Sequence, residues 1–342
     1  MRGRTLGLAA ASVALVTAAC AQPHLAAQPD ITITASSISQ FQPGSTQTRF
    51  GSLDFVGGLK LASSDVRFSG LSSFRFTAGR SHFLVVTDTG YWVTGDLRRD
   101  PQGRPAGIDD ARLFPILDTH GQPAKRKRDA DAEALAVVGD KAFVAFESDA
   151  RIEAFDYPLD PAESRPQPVK LPVPRGELRR NKGLEMLAAA PSGSRLHGSL
   201  VTVSEHSIDS DGNLFAAIFD ADHSSVFKVR RDENWDVTDG AFLPDGDLLL
   251  LERRFTGILS GIGMRIRRVD GRTIQPGALV DGPIIMQADL GQEIDNMEGL
   301  EVSVGDDGKT YLTLISDDNG NFFQRTLLLE FRLADDRSPA TN

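Results

Sequence analysis

Glu133 and Glu147 stand near the two free ends of one apolar hairpin, "DAEALAVVGDKAFVAFESD" (131–149). Apolar strands usually keep their charges on turns or on a solvated face, so an acid at each open end suggests a shared task. The pattern returns in "SGLSSFRFTAGRSHFLVVTDTG" (69–90), "KGLEMLAAAPSGSRLHGSLVTVSEHS" (182–207), "TDGAFLPDGDLLLLERR" (238–254) and "MEGLEVSVGDDGKTYLTLISDDNG" (297–320). Second strands end in Asp88, Glu147, Glu205, Glu252 and Asp317. First strands start with Glu133, Asp239 and Glu298, with Glu185 and Glu301 three residues further in, while Ser69 and Lys182 hold the remaining starts.

Carboxylates gathered at such density repel, so they must protonate, pair with bases or bind a cation. Hard divalent cations such as Ca²⁺ take roughly six to eight oxygen ligands with tolerant geometry. Glu133, Glu185, Asp239, Glu298 and Glu301 are therefore expected to form a metal or ligand site, with Ca²⁺ as the expected cofactor. For the second-strand acids two readings stay open. They ligate metal, or they pair with arginines such as Arg151, Arg253 and Arg325 and tie one repeat to the next. Other chemistry finds no motif: the six histidines form no HExxH, there is no GxSxG elbow, and no glycine-rich phosphate loop occurs. "DSDGN" (209–213) lacks a glutamate at the twelfth position of a calcium loop and reads as a hairpin turn.

The elements that must position these acids are strands. "VGDK", "PDGD" and "GDDGK" supply turn residues that tolerate positive φ. "FLVV", "AFVAF", "LVTV", "LLLL" and "YLTLI" are nearly continuous apolar runs, as expected of strands buried on both faces. Two further strand candidates follow each hairpin except the last, where "TLLLEFRL" lacks a companion and "SLDFVGGLKL" (52–61), ahead of the first repeat, can supply it. Four-stranded units starting at 69, 132, 182, 238 and 297 predict an all-β chain, a β-propeller of five blades. Six blades remain open if a long loop hides a weak one, and a multi-sheet sandwich is the competing architecture. In a propeller the first strand of a blade lines the channel and the second returns beside it, so both acidic ends meet at one channel mouth.

At the N-terminus Arg2 and Arg4 precede the apolar stretch "TLGLAAASVALVTAAC" (5–20), which reads as an export signal. Cys20, the one cysteine, is expected to be lipidated; cleavage without lipidation, leaving a soluble periplasmic protein, is the other reading. Residues 1–19 are the signal, 20–50 a tether with "ITITASSI" as a short strand, 51–335 the propeller and 336–342 a tail. The net charge of −10 becomes −10 − 2 = −12 without the two signal arginines. That acidity argues against nucleic acid, which needs clustered Lys and Arg. "KRKR" (125–128) reads as a solvated loop. A monomer is expected, touching membrane only through a lipid at Cys20.

Together "GGLKL", "FSGLSSF…LVVTDTG", "DAEALAV", "NKGLEML", "WDVTDGAFLPDGDLLLLERRF" and "NMEGLEV…LISDDN" resemble the phytase-like family described as having "esterase-like activity of phytase", a group of exported bacterial propellers. The resemblance covers about residues 50–335. It implies hydrolysis of phosphate or other esters, by analogy with calcium-dependent propeller phytases, in which clustered calcium neutralises phosphate and activates water. Under that implication Glu133 or Glu298 orients or deprotonates the water, and Lys182, Arg151 and Arg253 contact phosphate. A non-catalytic envelope propeller that binds a glycan, peptide or partner protein around structural calcium is the alternative.

Overall fold

The computed structural model describes residues 30–255 and 261–334. Five sheets, antiparallel except at one edge, form a ring, a five-bladed β-propeller. Blade one contains Leu71–Ala78, His82–Thr87, Tyr91–Arg99 and Pro105–Pro115. Blade two contains Ala132–Val138, Lys141–Phe146, Arg151–Asp156 and Gln167–Val169. Blade three runs from Leu184–Ala189 through Leu200–Ile208 and Leu214–Phe219 to Ser224–Val229, with Leu279–Val280 added in parallel at its edge. Blade four holds Asp236–Phe242, Leu248–Phe255, Ile262–Val269 and Ile284–Asp289. In blade five Asn296–Val304, Thr310–Asp317 and Thr326–Leu333 are joined by the N-terminal strand Leu53–Ser63, which pairs antiparallel with Thr326–Leu333.

Outside that strand lies Ile33–Ile38, paired from Ile33 opposite Ser63 to Ile38 opposite Gly58. Phe41 follows it and is fully buried against Phe50 and Phe331. The ordered propeller therefore reaches well ahead of Gly51, into the stretch expected to be tether. Cys20 and the signal lie outside the described residues.

The apolar runs now have a cause. In blade four Leu249 and Leu251 pack toward blade five with Leu312 and Leu327, while Leu248 and Leu250 pack toward blade three with Val201 and Leu214. A strand sandwiched between two neighbouring blades buries both faces, so alternation disappears. Leu59 and Leu328 of blade five likewise pack with Phe74 and Val85 of blade one, which closes the ring. Truncating any of these leucines to alanine should cost about 2–5 kcal/mol through lost burial and a residual cavity.

Candidate functional site: an acidic cup at the channel mouth

One irregularity repeats in all five blades. Near the start of each first strand the register with the second strand slips by one residue, between Leu71 and Ser73, Ala132 and Ala134, Leu184 and Met186, Val237 and Asp239, and Met297 and Gly299. A bulge of this kind re-aims the inserted side chain. The inserted residues are Ser72, Glu133, Glu185, Thr238 and Glu298. Glu133, Glu185 and Glu298 are thus structural equivalents, and the counterparts expected at Ser69 and Lys182 are instead Ser72 and Glu185.

Beside the bulges, in or just past the second strands, stand Asp88, Glu147, Glu205, Arg253 and Asp317. Asp88, Glu147 and Glu205 donate their backbone N–H to Gly70, Asp131 and Gly183, and Arg253 and Asp317 pair with Asp236 and Asn296. Blade four therefore places a base where the other blades place an acid. Glu252, expected at this position, points to the opposite face of its strand. There it is buried and accepts hydrogen bonds from Arg265 and Arg267, an ion-pair role within the blade.

Two carboxylate groups come together at the mouth. Oxygens of Asp131, Glu133 and Glu147 lie within 4.8 Å of one another, and so do oxygens of Glu147, Glu185 and Glu205. Glu147 belongs to both. Asp131 was not anticipated from sequence; its place two residues before the bulged Glu133 was the available signal. Burial, then the charges of Asp131 and Glu147, push the Glu133 carboxyl well above the usual carboxylate range. Burial, then Glu133 and Glu147, do the same to Glu185. Glu147 is also raised, chiefly by burial, although the Gly183 N–H donates to it at 3.2 Å.

The opposing charges sit at the rim. Lys182 reaches Glu205 at 2.8 Å, and Lys127 reaches Asp88 at 2.6 Å. Arg253 donates to Glu298 and Asn296, and lies 3.4 Å from Glu205. Burial raises Glu298 to about 7 against the pull of Arg253, and raises Asp317 to about 6 against a hydrogen bond from the Asn319 N–H. No Lys, Arg or His forms an ion pair with Glu133, Glu185 or Glu147 among the described residues. One Asp88 oxygen is buried without a hydrogen-bond partner. Glu133, Glu147 and Glu185 offer hard oxygen donors without an ion-pair partner among the described residues, which fits Ca²⁺ or a similar cation.

Asp239 and Glu301 are not part of this set. Arg75 from blade one crosses the channel and donates to both oxygens of Asp239 at 2.8 and 2.9 Å, and to the carbonyls of Leu187 and Leu300 at 2.9 Å. Glu301 lies 3.9 Å from the same guanidinium, and burial lifts its carboxyl to about 8. The positions equivalent to Arg75 and Glu301 are Ala136, Ala188 and Ala241, whose small side chains leave the channel open to this arginine. The mouth is therefore a cup with a floor. Arg151 is also withdrawn from it: Glu153 binds it at 3.0 Å, the Asp129 carbonyl at 2.9 Å, and it stacks 3.7 Å from the Phe146 ring centre.

A family model described as "Esterase-like activity of phytase" matches residues 66–320, which include every cup residue named above. The chain belongs to the phytase-like family. No curated protein sequence matches this phytase-like chain. Among solved structures, the exo-1,5-α-L-arabinanase from a bovine ruminal metagenomic library is 11% identical with a TM-score of 0.46, covering 85% of this chain and 97% of its own. The Cellvibrio cellulosa α-L-arabinanase complexed with arabinohexaose is 12% identical with a TM-score of 0.43, covering 77% and 92%. The PQQ-bound aldose sugar dehydrogenase from Streptomyces coelicolor is 12% identical with a TM-score of 0.39, covering 89% and 99%.

Proposed function

We propose that this phytase-like propeller is a Ca²⁺-dependent hydrolase of esters, phosphoesters first among them, working at the acidic cup. The observation that carries the reading is the pair of carboxylate triads sharing Glu147 beneath a rim of Lys127, Lys182 and Arg253. Asp131, Glu133, Glu147, Glu185 and Glu205 would hold the cations, which when bound supply charge neutralisation and an activated water. Arg253, Lys182 and Lys127 face an anionic ester with donors at the entrance. Glu298, with a carboxyl near 7, is matched to accept a proton from water at neutral pH. Glu133 serves as ligand and orients the same water. The export signal and Cys20 extend the proposal to the cell envelope, with the protein a lipid-anchored monomer.

The test is calorimetric titration of Ca²⁺ into chelator-treated protein, followed by an ester and phosphoester panel on the same sample, with Glu147→Gln alongside. We expect Ca²⁺ binding, calcium-dependent release of product, and loss of both in the variant. Binding with a large rise in melting temperature but no hydrolysis would leave a binding module with structural cations. Absence of binding would sink the proposal.

A further inference from the structure

Strand direction alternates within each blade, so loops entering first strands and loops leaving second strands all lie on the mouth face. The five most exposed large apolar side chains of the described residues are on that face: Val66 (89%), Phe255 (62%), Leu290 (56%), Phe322 (96%) and Phe323 (88%), the other exposed ones ranging from 36% to 53%. They follow an arc from blade four through blade five to blade one. Phe322 and Phe323 pack edge to face 5.8 Å apart, with Phe322 and Val66 lining one hollow beside the cup. Two adjacent solvated phenyl rings are costly in water unless something covers them.

Two loops of the face carry exposed bases. Lys125, Arg126, Lys127 and Arg128 lie exposed on the loop into blade two, where Arg126 and Arg128 face Asp129 and Lys127 binds Asp88, and Arg179 and Arg180 lie exposed on the loop into blade three. The cup acids are recessed by contrast: Asp131, Glu185 and Glu205 are buried.

We infer that the mouth face docks onto an anionic lipid bilayer, Phe322 and Phe323 entering the headgroup–acyl boundary while the 125–128 and 179–180 loops bind lipid phosphates. Apolar insertion combined with several basic side chains is the pairing that reversible attachment to anionic membranes requires. It turns the cup toward the headgroup layer. Neither feature depends on the hydrolase reading, and the test does not measure hydrolysis.

The full chain, with its N-terminal segment common to all samples, is mixed with vesicles of phosphatidylcholine alone or with added phosphatidylglycerol. Phe322→Trp reports the loop, since Trp92 and Trp235 are both buried. We expect its emission to shift blue and become quenchable by brominated lipid only when phosphatidylglycerol is present. Phe322→Ser/Phe323→Ser should weaken vesicle binding at least roughly tenfold, and added salt should weaken the wild type. The variant sites are solvent-exposed, so folding is not at stake. Three results would overturn the inference. One is unshifted Trp emission on vesicles that carry the protein. Another is a Ser variant that binds like wild type. The third is lipid-free self-association that the Ser variant abolishes, which would make the patch an interface between copies.

Discussion

Arg253 holds Glu298: the guanidinium from blade four bridges to the bulged glutamate of blade five, and lies within 3.4 Å of Glu205 from blade three. It is the one base in a ring position otherwise filled by acids. Replacing it removes the local compensation for two inward carboxylates. Arg253→Gln should destabilise the fold by roughly 2–4 kcal/mol, somewhat below the full cost of orphaning a completely buried charge. Urea denaturation in chelator measures this, and Ca²⁺ should restore part of the loss. A variant as stable as wild type would mean that the cup tolerates its charge without Arg253.

The pH dependence has a definite sign. Asp317, Glu298 and Glu301 have carboxyls near 6, 7 and 8, above their unfolded values, so the native state binds more protons than the unfolded chain in this window. Their contribution is complete below the unfolded pKa and is lost as pH rises through the folded values. In chelator the stability should fall from pH 5 to pH 8, by on the order of a few kcal/mol, and the melting temperature with it. Ca²⁺ should flatten the fall and release protons on binding. Thermal melts with and without chelator decide it; a flat chelator profile counts against the raised carboxyls.

Gly70 has φ +69°, and an added Cβ would sit 1.9 Å from the Asp88 oxygen. Gly70→Ala therefore meets both backbone strain and a side chain that must swing away. We expect about 1–3 kcal/mol of destabilisation and weaker pairing of Asp88 with Lys127. Combining it with Asp88→Ala should cost less than the sum of the two single changes, as double-mutant unfolding would reveal. Strict additivity would show that the clash is not with Asp88.

Arg75→Met leaves Asp239 fully buried with hydrogen bonds from Ser73 and the Leu300 N–H but no charge partner. The expected cost is about 3–5 kcal/mol, and Arg75→Met/Asp239→Asn should recover much of it. If the single change is near neutral by denaturation, the channel arginine does not hold the blades together.

The blades were legible because turn residues and double-faced apolar runs recur, and both have direct physical causes in hairpin geometry and blade-on-blade packing. The cup was legible only in outline. Glu133, Glu147, Glu185, Glu205 and Glu298 came to the mouth as expected. Glu252 and Asp239 did not, because each lies one residue off the ring: Arg253 and Thr238 hold the blade-four positions, and the acid next door stands out in the sequence. Because strand side chains alternate faces, an error of one reverses the environment completely. Arg75 was missed for a different cause. A lone arginine inside "LSSFRFTA" gives no hint that three alanines, in three other blades, clear a path for it.

The guanidinium that spans the channel also fixes how solutes travel. With Arg75 bonded to groups from blades three, four and five, the channel is bridged beneath the cup, and among the described residues the cup opens at the mouth. A ligand of the cup therefore enters and leaves by that opening, and two ligands there exclude one another. Under the proposed hydrolysis, product inhibition should accordingly be competitive, and a ligand too large to turn within the cup must leave in the orientation in which it came.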